Sequence, residues 1–153
     1  MSDATVYHSK VVNVEMGDNV KYITPVNMYG CKLGHDSFVG PFVEIQRNSS
    51  IGDRTRVQSH SFICEMVTIG DDCFIAHGVM FINDLFNEGQ PEADMSKWRA
   101  TEIGNNVSIG SNATILPVKI CDGTVIGAGS VVVKDINKKG IYAGNPARLI
   151  REL

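Results

Sequence analysis

The 153-residue chain has few charges, few aromatic residues and no long apolar run. Charged residues make up 20% and aromatic residues 7%. Lys plus Arg is 14 against 17 for Asp plus Glu, a net charge of −3, so neither nucleic acid nor an anionic membrane surface is expected as partner. No stretch of about 18 apolar residues occurs, so no membrane-spanning helix is expected. Met1-Ser2-Asp3-Ala4-Thr5 lacks a basic region followed by an apolar one; no signal peptide is read there, and a cytoplasmic protein is expected. Cys31, Cys64, Cys73 and Cys121 form no C-x-x-C pair. That argues against a zinc knuckle or redox motif and for small buried residues.

What is abundant is glycine, with 15 residues, and a period. Written in sixes from Leu33, the first position holds Leu33, Val39, Ile45, Ile51, Val57, Ile63, Ile69, Ile75 and Phe81. All are apolar, a coincidence expected by chance about once in several thousand trials. Gly34, Gly40, Gly52 and Gly70 fall in the second position. The fifth is small or β-branched: Ser37, Val43, Ser49, Thr55, Ser61, Val67, Cys73 and Val79. The register lapses after Phe86, returns at Ile103, loses one residue near Pro117 and resumes at Ile120. A period of six fits neither an α-helix nor a hairpin ladder. It fits a parallel β-helix in which three sixes make one 18-residue triangular coil. The expected architecture is all-β, a single domain over residues 1–153. About five to six coils occupy residues 15–137, with an inserted loop at about 87–100 and a tail at about 138–153. Asn145 reads as an N-cap and Pro146 as a first helical residue, which predicts a short helix over Ala147–Leu153.

The repeat resembles that of the left-handed β-helix, hexapeptide-repeat acyltransferases over roughly residues 15–153; the left hand is implied by that resemblance, since the usual crossover rule favours the right. More narrowly, Asn27-Met28-Tyr29-Gly30, Phe42-Val43-Glu44-Ile45-Gln46, Ser59-His60-Ser61-Phe62-Ile63-Cys64-Glu65 and His77-Gly78-Val79-Met80-Phe81-Ile82-Asn83-Asp84 resemble the branch that acylates nucleotide-linked amino sugars. Ala143-Gly144-Asn145-Pro146-Ala147-Arg148 is similar to an ending shared widely among these transferases. The resemblance implies an N-acyltransferase moving acetyl from acetyl-CoA, as cosubstrate, to the amino group of a dTDP- or UDP-linked deoxy-amino sugar for bacterial surface glycan synthesis. It implies no metal, and a homotrimer with a groove between subunits.

Stacking the chain at 18 residues sorts the corners into three columns. One is acidic: His35-Asp36, Asp53-Arg54, Asp71-Asp72, Asn105-Asn106 and Asp122-Gly123. It is expected to be a solvated edge. A second carries His60 and His77 on consecutive coils and then turns small, with Ser111, Gly127, Ala128 and Gly129. A smooth edge suits a long thin ligand such as the pantetheine arm of coenzyme A. His60 and His77 are therefore candidate catalytic residues, with Ser111, Gly127 and Ala128 along the cofactor. Lys134 and Arg148 in the basic C-terminal end suit its phosphates. The third column stacks Tyr29, Arg47, Glu65 and Asn83, with Asp84 beside it. Together with Glu44 and Gln46 on the adjoining face it is expected to form a polar shelf for the sugar. The loop, containing the sole Trp98, emerges from Asn83-Asp84 and reads as a lid. Trp98 either covers a nucleotide base or, the favoured reading, anchors the loop.

Three other functions compete. An O-acetyltransferase on a sugar or serine hydroxyl would need a true general base. A zinc hydratase would need three converging histidines, and His8 and His35 fall away from His60 and His77. A purely structural β-helix would not bind coenzyme A.

Overall fold

The computed structural model describes residues 5–153. The chain winds as a three-sided prism whose faces are parallel sheets of very short strands. The first sheet stacks Val11–Val12, Asn27–Tyr29, Glu44–Ile45, Phe62–Ile63, Met80–Phe81, Thr114–Ile115 and Val131–Val132. The second stacks Glu15–Met16, Lys32–Leu33, Ser50–Ile51, Val67–Ile69, Thr101–Ile103 and Lys119–Ile120, extended by a bridge from Ile120 to Ile136. The third stacks Lys21–Tyr22, Phe38–Val39, Arg56–Val57, Phe74–Ile75, Ser108–Ile109, Val125–Ile126 and Gly140–Ala143. Partners lie mostly 17 or 18 residues apart, as in Phe38 with Arg56 and Ile45 with Ile63, and 34 apart where the loop intervenes, as in Phe74 with Ser108. This is the left-handed β-helix, with seven coils rather than five to six. It begins at Val11 rather than near residue 15.

The period is the core. Every first-position residue from Leu33 to Phe81 is at most 3% exposed, as are Ile103, Ile109, Ile115, Ile120, Ile126 and Val132 after the loop. The small fifth-position residues are also buried, and three of their hydroxyls have a second task. Ser49, Thr55 and Ser61 donate to the carbonyls of Cys64, Gly70 and Ala76 at 2.7, 2.7 and 2.9 Å, tying each coil to the next.

The acidic corner is more than a solvated edge. The carboxylates of Asp53, Asp71 and Asp122 and the Asn105 amide oxygen accept from the backbone N–H of His35, Asp53, Asn105 and Asp71 respectively at 2.7–2.9 Å. A Cβ at Gly34, Gly52, Gly70 or Gly104 would sit 2.1–2.4 Å from those acceptor oxygens, which is why glycine recurs there. Arg54 forks onto Asp72 at 2.7 and 2.8 Å and holds that carboxyl below its usual range.

The expected C-terminal helix is replaced by a strand. The chain reverses through 144–147, and Arg148–Glu152 pairs antiparallel with Gly140–Ala143. The last parallel strand would otherwise present a row of unpaired N–H and C=O groups. Satisfying that edge outweighs the local helix-start signal of Asn145-Pro146.

Candidate functional site

The first sheet is flanked by two unlike edges. Tyr29, Arg47, Glu65 and Asn83 lie along one, and Ser59, His60, His77, Ser111 and Ala128 along the other.

On the first edge the predicted shelf is one connected network. Arg47 Nε donates to Glu65 Oε1 at 2.8 Å. The Glu65 backbone N–H donates to Gln46 Oε1 at 3.3 Å, and Gln46 Nε2 donates to Glu44 Oε1 at 2.9 Å. Asn27 Nδ2 reaches the other Glu44 oxygen at 3.2 Å, and Asn83 Nδ2 donates to the Glu65 carbonyl at 3.3 Å. Burial first, and then the Glu44 and Glu65 carboxylates, push the Tyr29 phenol up, so it stays protonated and able to donate. Tyr29, Glu44, Gln46, Arg47, Glu65 and Asn83 are thus brought together. Asn27 joins them; the signal for it was its 17-residue offset from Glu44.

Asp84 does not join the shelf. Its two carboxylate oxygens accept from the N–H groups of Phe86 and Glu92 at 2.9 and 2.8 Å and fold the loop. Trp98 Nε1 donates to the Glu92 carbonyl at 3.1 Å, so Trp98 anchors its own loop, here around a cavity of about 190 Å³ that Asn83 and Asp84 also line. A single 3-10 turn, Met95–Lys97, is capped by Asp94. It brings Met95 Sδ to 3.5 Å from the Arg47 guanidinium. The loop therefore closes over the shelf edge, a contact that no spacing in the sequence announces.

On the second edge the two histidines part company. Ser59 Oγ and His77 Nδ1 are 2.9 Å apart, which leaves Nε2 as the ring nitrogen free to face a ligand. His60 instead stacks on Phe42, with ring centroids 4.9 Å apart and an interplanar angle of 29°. Both partners, Ser59 and Phe42, lie 18 residues before their histidines. The histidines do not touch the shelf; the width of the first sheet separates them. Ser111, Gly127 and Ala128 continue the histidine edge, with Ala128 exposed and nothing within 4 Å of the Cβ position of Gly129. Lys134 sits on the shelf edge instead. It lines a cavity of about 140 Å³ with Arg148 at the C-terminal end, so the two basic residues meet each other rather than the small-residue edge. Among the described residues no three His, Cys, Asp or Glu side chains converge as a metal cage would require, and no helix is long and apolar enough to cross a membrane.

Known proteins share the repeat and the fold. Residues 101–134 match the family described as "Hexapeptide repeat of succinyl-transferase". The chain is 29% identical over 157 residues to the bifunctional protein GlmU of Clostridium botulinum, covering 99% of the chain but 31% of that protein. It is 45% identical over 91 residues to galactoside O-acetyltransferase of Escherichia coli, covering 57% of the chain and 44% of that enzyme. The chain thus spans less than half the length of either relative. In fold it superposes with a TM-score of 0.79 on AntD, an N-acyltransferase from Bacillus cereus in complex with dTDP and Coenzyme A, at 20% identity over 90% of this chain and 83% of that one. By its repeat and its coiled fold, the chain is a hexapeptide-repeat protein, similar to the acyltransferases that carry that repeat.

Proposed function

We propose that the protein is an acyl-CoA-dependent N-acyltransferase acting on a nucleotide-linked amino sugar. The observation that carries this reading is the pairing of a hydrogen-bonding shelf on one edge with a small-residue, histidine-bearing edge on the other. Glu44, Gln46, Arg47 and Tyr29 offer acceptors and donors for sugar hydroxyls. Ser111, Gly127 and Ala128 leave room for an extended pantetheine arm whose thioester ends near His77.

In the reaction the neutral amine nitrogen attacks the thioester carbonyl carbon. A backbone N–H on the small-residue edge holds the oxyanion. The carbon–sulfur bond then breaks, the coenzyme A thiolate leaves, and the second amine proton passes to His77 Nε2 and from there to thiolate or solvent. An amine with a pKa near 8 supplies much of its own nucleophilicity, so His77 assists rather than enables.

Because the two edges lie apart on one chain, the site is completed between chains. The outward rows support a trimer. The second sheet presents Glu15, Lys32, Ser50, Thr68, Glu102 and Lys119, with ion pairs at 2.9 and 3.0 Å. The third presents Lys21, Phe38, Arg56, Phe74, Ser108, Val125 and Ile141, and the first Asn27, Glu44, Phe62, Met80, Thr114 and Val131. A three-fold assembly that packs the two faces bearing aromatic and aliphatic side chains and leaves the Glu/Lys-paired one outside joins the shelf of one chain to the histidine edge of the next.

A second reading, O-acetyl transfer to a sugar hydroxyl, is favoured by the 45% identity over 91 residues to a galactoside O-acetyltransferase. The deciding experiment follows thiol release from acetyl-CoA with dTDP-, UDP- and GDP-linked amino sugars against galactosides and other neutral sugars. Turnover with an amino sugar and none with its hydroxyl counterpart supports the N-acyl reading. The reverse result replaces it.

A further inference from the structure

The histidine edge carries a feature that acyl transfer does not use. Among the described residues, seven of the twelve non-glycine residues with left-handed φ are Asn or Asp, the side chains that tolerate that conformation. Phe42 (φ +60) and His60 (φ +64) occupy successive corners in the same conformation, and a bulky aromatic is a poor choice there. Turn chemistry alone would select Asn at position 42, as it does at 48, 106 and 112. The two rings are instead stacked on each other, yet Phe42 remains 58% exposed. Phe42 also walls a cavity of about 270 Å³ with Pro25, Val26, Asn27 and Glu44. An exposed ring face, an apolar wall, and an amide and a carboxylate at the rim are the parts that recognise a flat heterocycle with N–H donors on its edge.

We infer that Phe42, backed by His60, is the stacking platform for the base of the nucleotide-linked acceptor, with Asn27 and Glu44 at the base's polar edge. The placement is consistent along the prism. Phe42 lies two rungs, roughly 10 Å along the prism axis, from the level of His77, so in the three-fold assembly base and acyl-accepting amine are offset along that axis as the ends of one extended acceptor would be. Glu44 belongs to both the cavity and the shelf, which makes the two subsites continuous. This inference rests on the nucleotide-linked reading above, and its test separates the two.

The test is isothermal titration of the full-length protein with UDP, dTDP, GDP and coenzyme A. Phe42→Asn removes the ring and keeps a residue suited to the turn; Phe42→Tyr keeps the ring. At least one of the three nucleotides is expected to bind the wild-type protein. Phe42→Asn is expected to weaken that binding roughly tenfold or more. Phe42→Tyr should retain it, and coenzyme A should bind all three forms alike. Equal nucleotide binding by Phe42→Asn overturns the platform while leaving the nucleotide-linked reading standing. Loss of coenzyme A binding in Phe42→Asn also overturns it, because the ring would then serve the donor. Failure of all three nucleotides to bind the wild-type protein, with acetyl transfer to a free sugar intact, overturns both.

Discussion

Removing Arg47 should cost more than removing its partner, and the burial of the two side chains says by how much. The Glu65 side chain is 12% exposed and that of Arg47 is 51% exposed, at 2.8 Å from each other. In Arg47→Ala the carboxylate stays in place with its charge uncompensated. A fully buried pair broken in this way loses about 3–5 kcal/mol. Half of Arg47 is already in water, so about 1–3 kcal/mol is expected here. In Glu65→Ala the guanidinium simply turns to solvent, and about 1 kcal/mol or less is expected from the lost pair. The Asn83 anchor survives either change, because Asn83 bonds the Glu65 backbone carbonyl and not its side chain. The check is urea unfolding of both single variants and the double variant at one fixed protein concentration, since assembly would otherwise shift the midpoints. A coupling of about 1–2 kcal/mol, with Arg47→Ala the worse single variant, is the expected result. Additivity within about 0.5 kcal/mol would show that solvent already screens the pair, and the shelf would then lack its rigid member.

His77→Ala should slow acetyl transfer only modestly if the acceptor is an amine and by roughly 10²–10⁴-fold if it is a hydroxyl, read from kcat across pH 6–9. Ala128→Trp should raise KM for acetyl-CoA and leave the melting temperature unchanged, because the residue is exposed at a corner; an unchanged KM would move the donor off this edge. Phe74→Glu, at an exposed aromatic on the outward row of the third sheet, should dissociate the proposed assembly in sedimentation. Burial pushes the Cys31 thiol up to about 11 and that of Cys64 to about 12. The half-buried Cys121 should therefore react first with a thiol reagent at pH 8, whereas equal labelling of the folded protein would contradict that burial. Because the folded values are raised, these two thiols contribute full stability below the unfolded thiol value near 8.5. They lose it as pH rises towards the folded values.

The fold was legible because inward residues obey one rule. A side chain every sixth position must be apolar to enter the prism, and Leu33 to Phe81 obey it without exception. Where that rule weakens, so did the reading. The first coil, with Glu15, Lys21 and Tyr22 exposed, is covered on one side only, so its sequence carries little of the period and the start was placed near residue 15 instead of at Val11. The tail failed for another reason. Asn145-Pro146 is a local helix signal, and the sheet edge that overrode it exists only once seven coils are stacked.

Outward residues answer to no such rule, which is why the site was read unevenly. Stacking the chain at 18 residues put Tyr29, Arg47, Glu65 and Asn83 on one edge, and the structure joins them into a network. It could not separate His60 from His77, because their difference lies in the side chain one rung below, Phe42 for one and Ser59 for the other. It did put Lys134 in the column of Arg47 and Asn83, where the structure has it, although its charge had been assigned to the cofactor on the other edge. The loop was legible in its bounds and not in its contacts: that Asp84 serves its own backbone while Met95 reaches Arg47 follows from a fold of 82–100 that no repeat constrains. A repetitive scaffold thus makes position readable and leaves chemistry to the exceptions. On the histidine edge of this chain, the exceptions are the aromatic rings set where turns ordinarily take Asn, Asp or Gly.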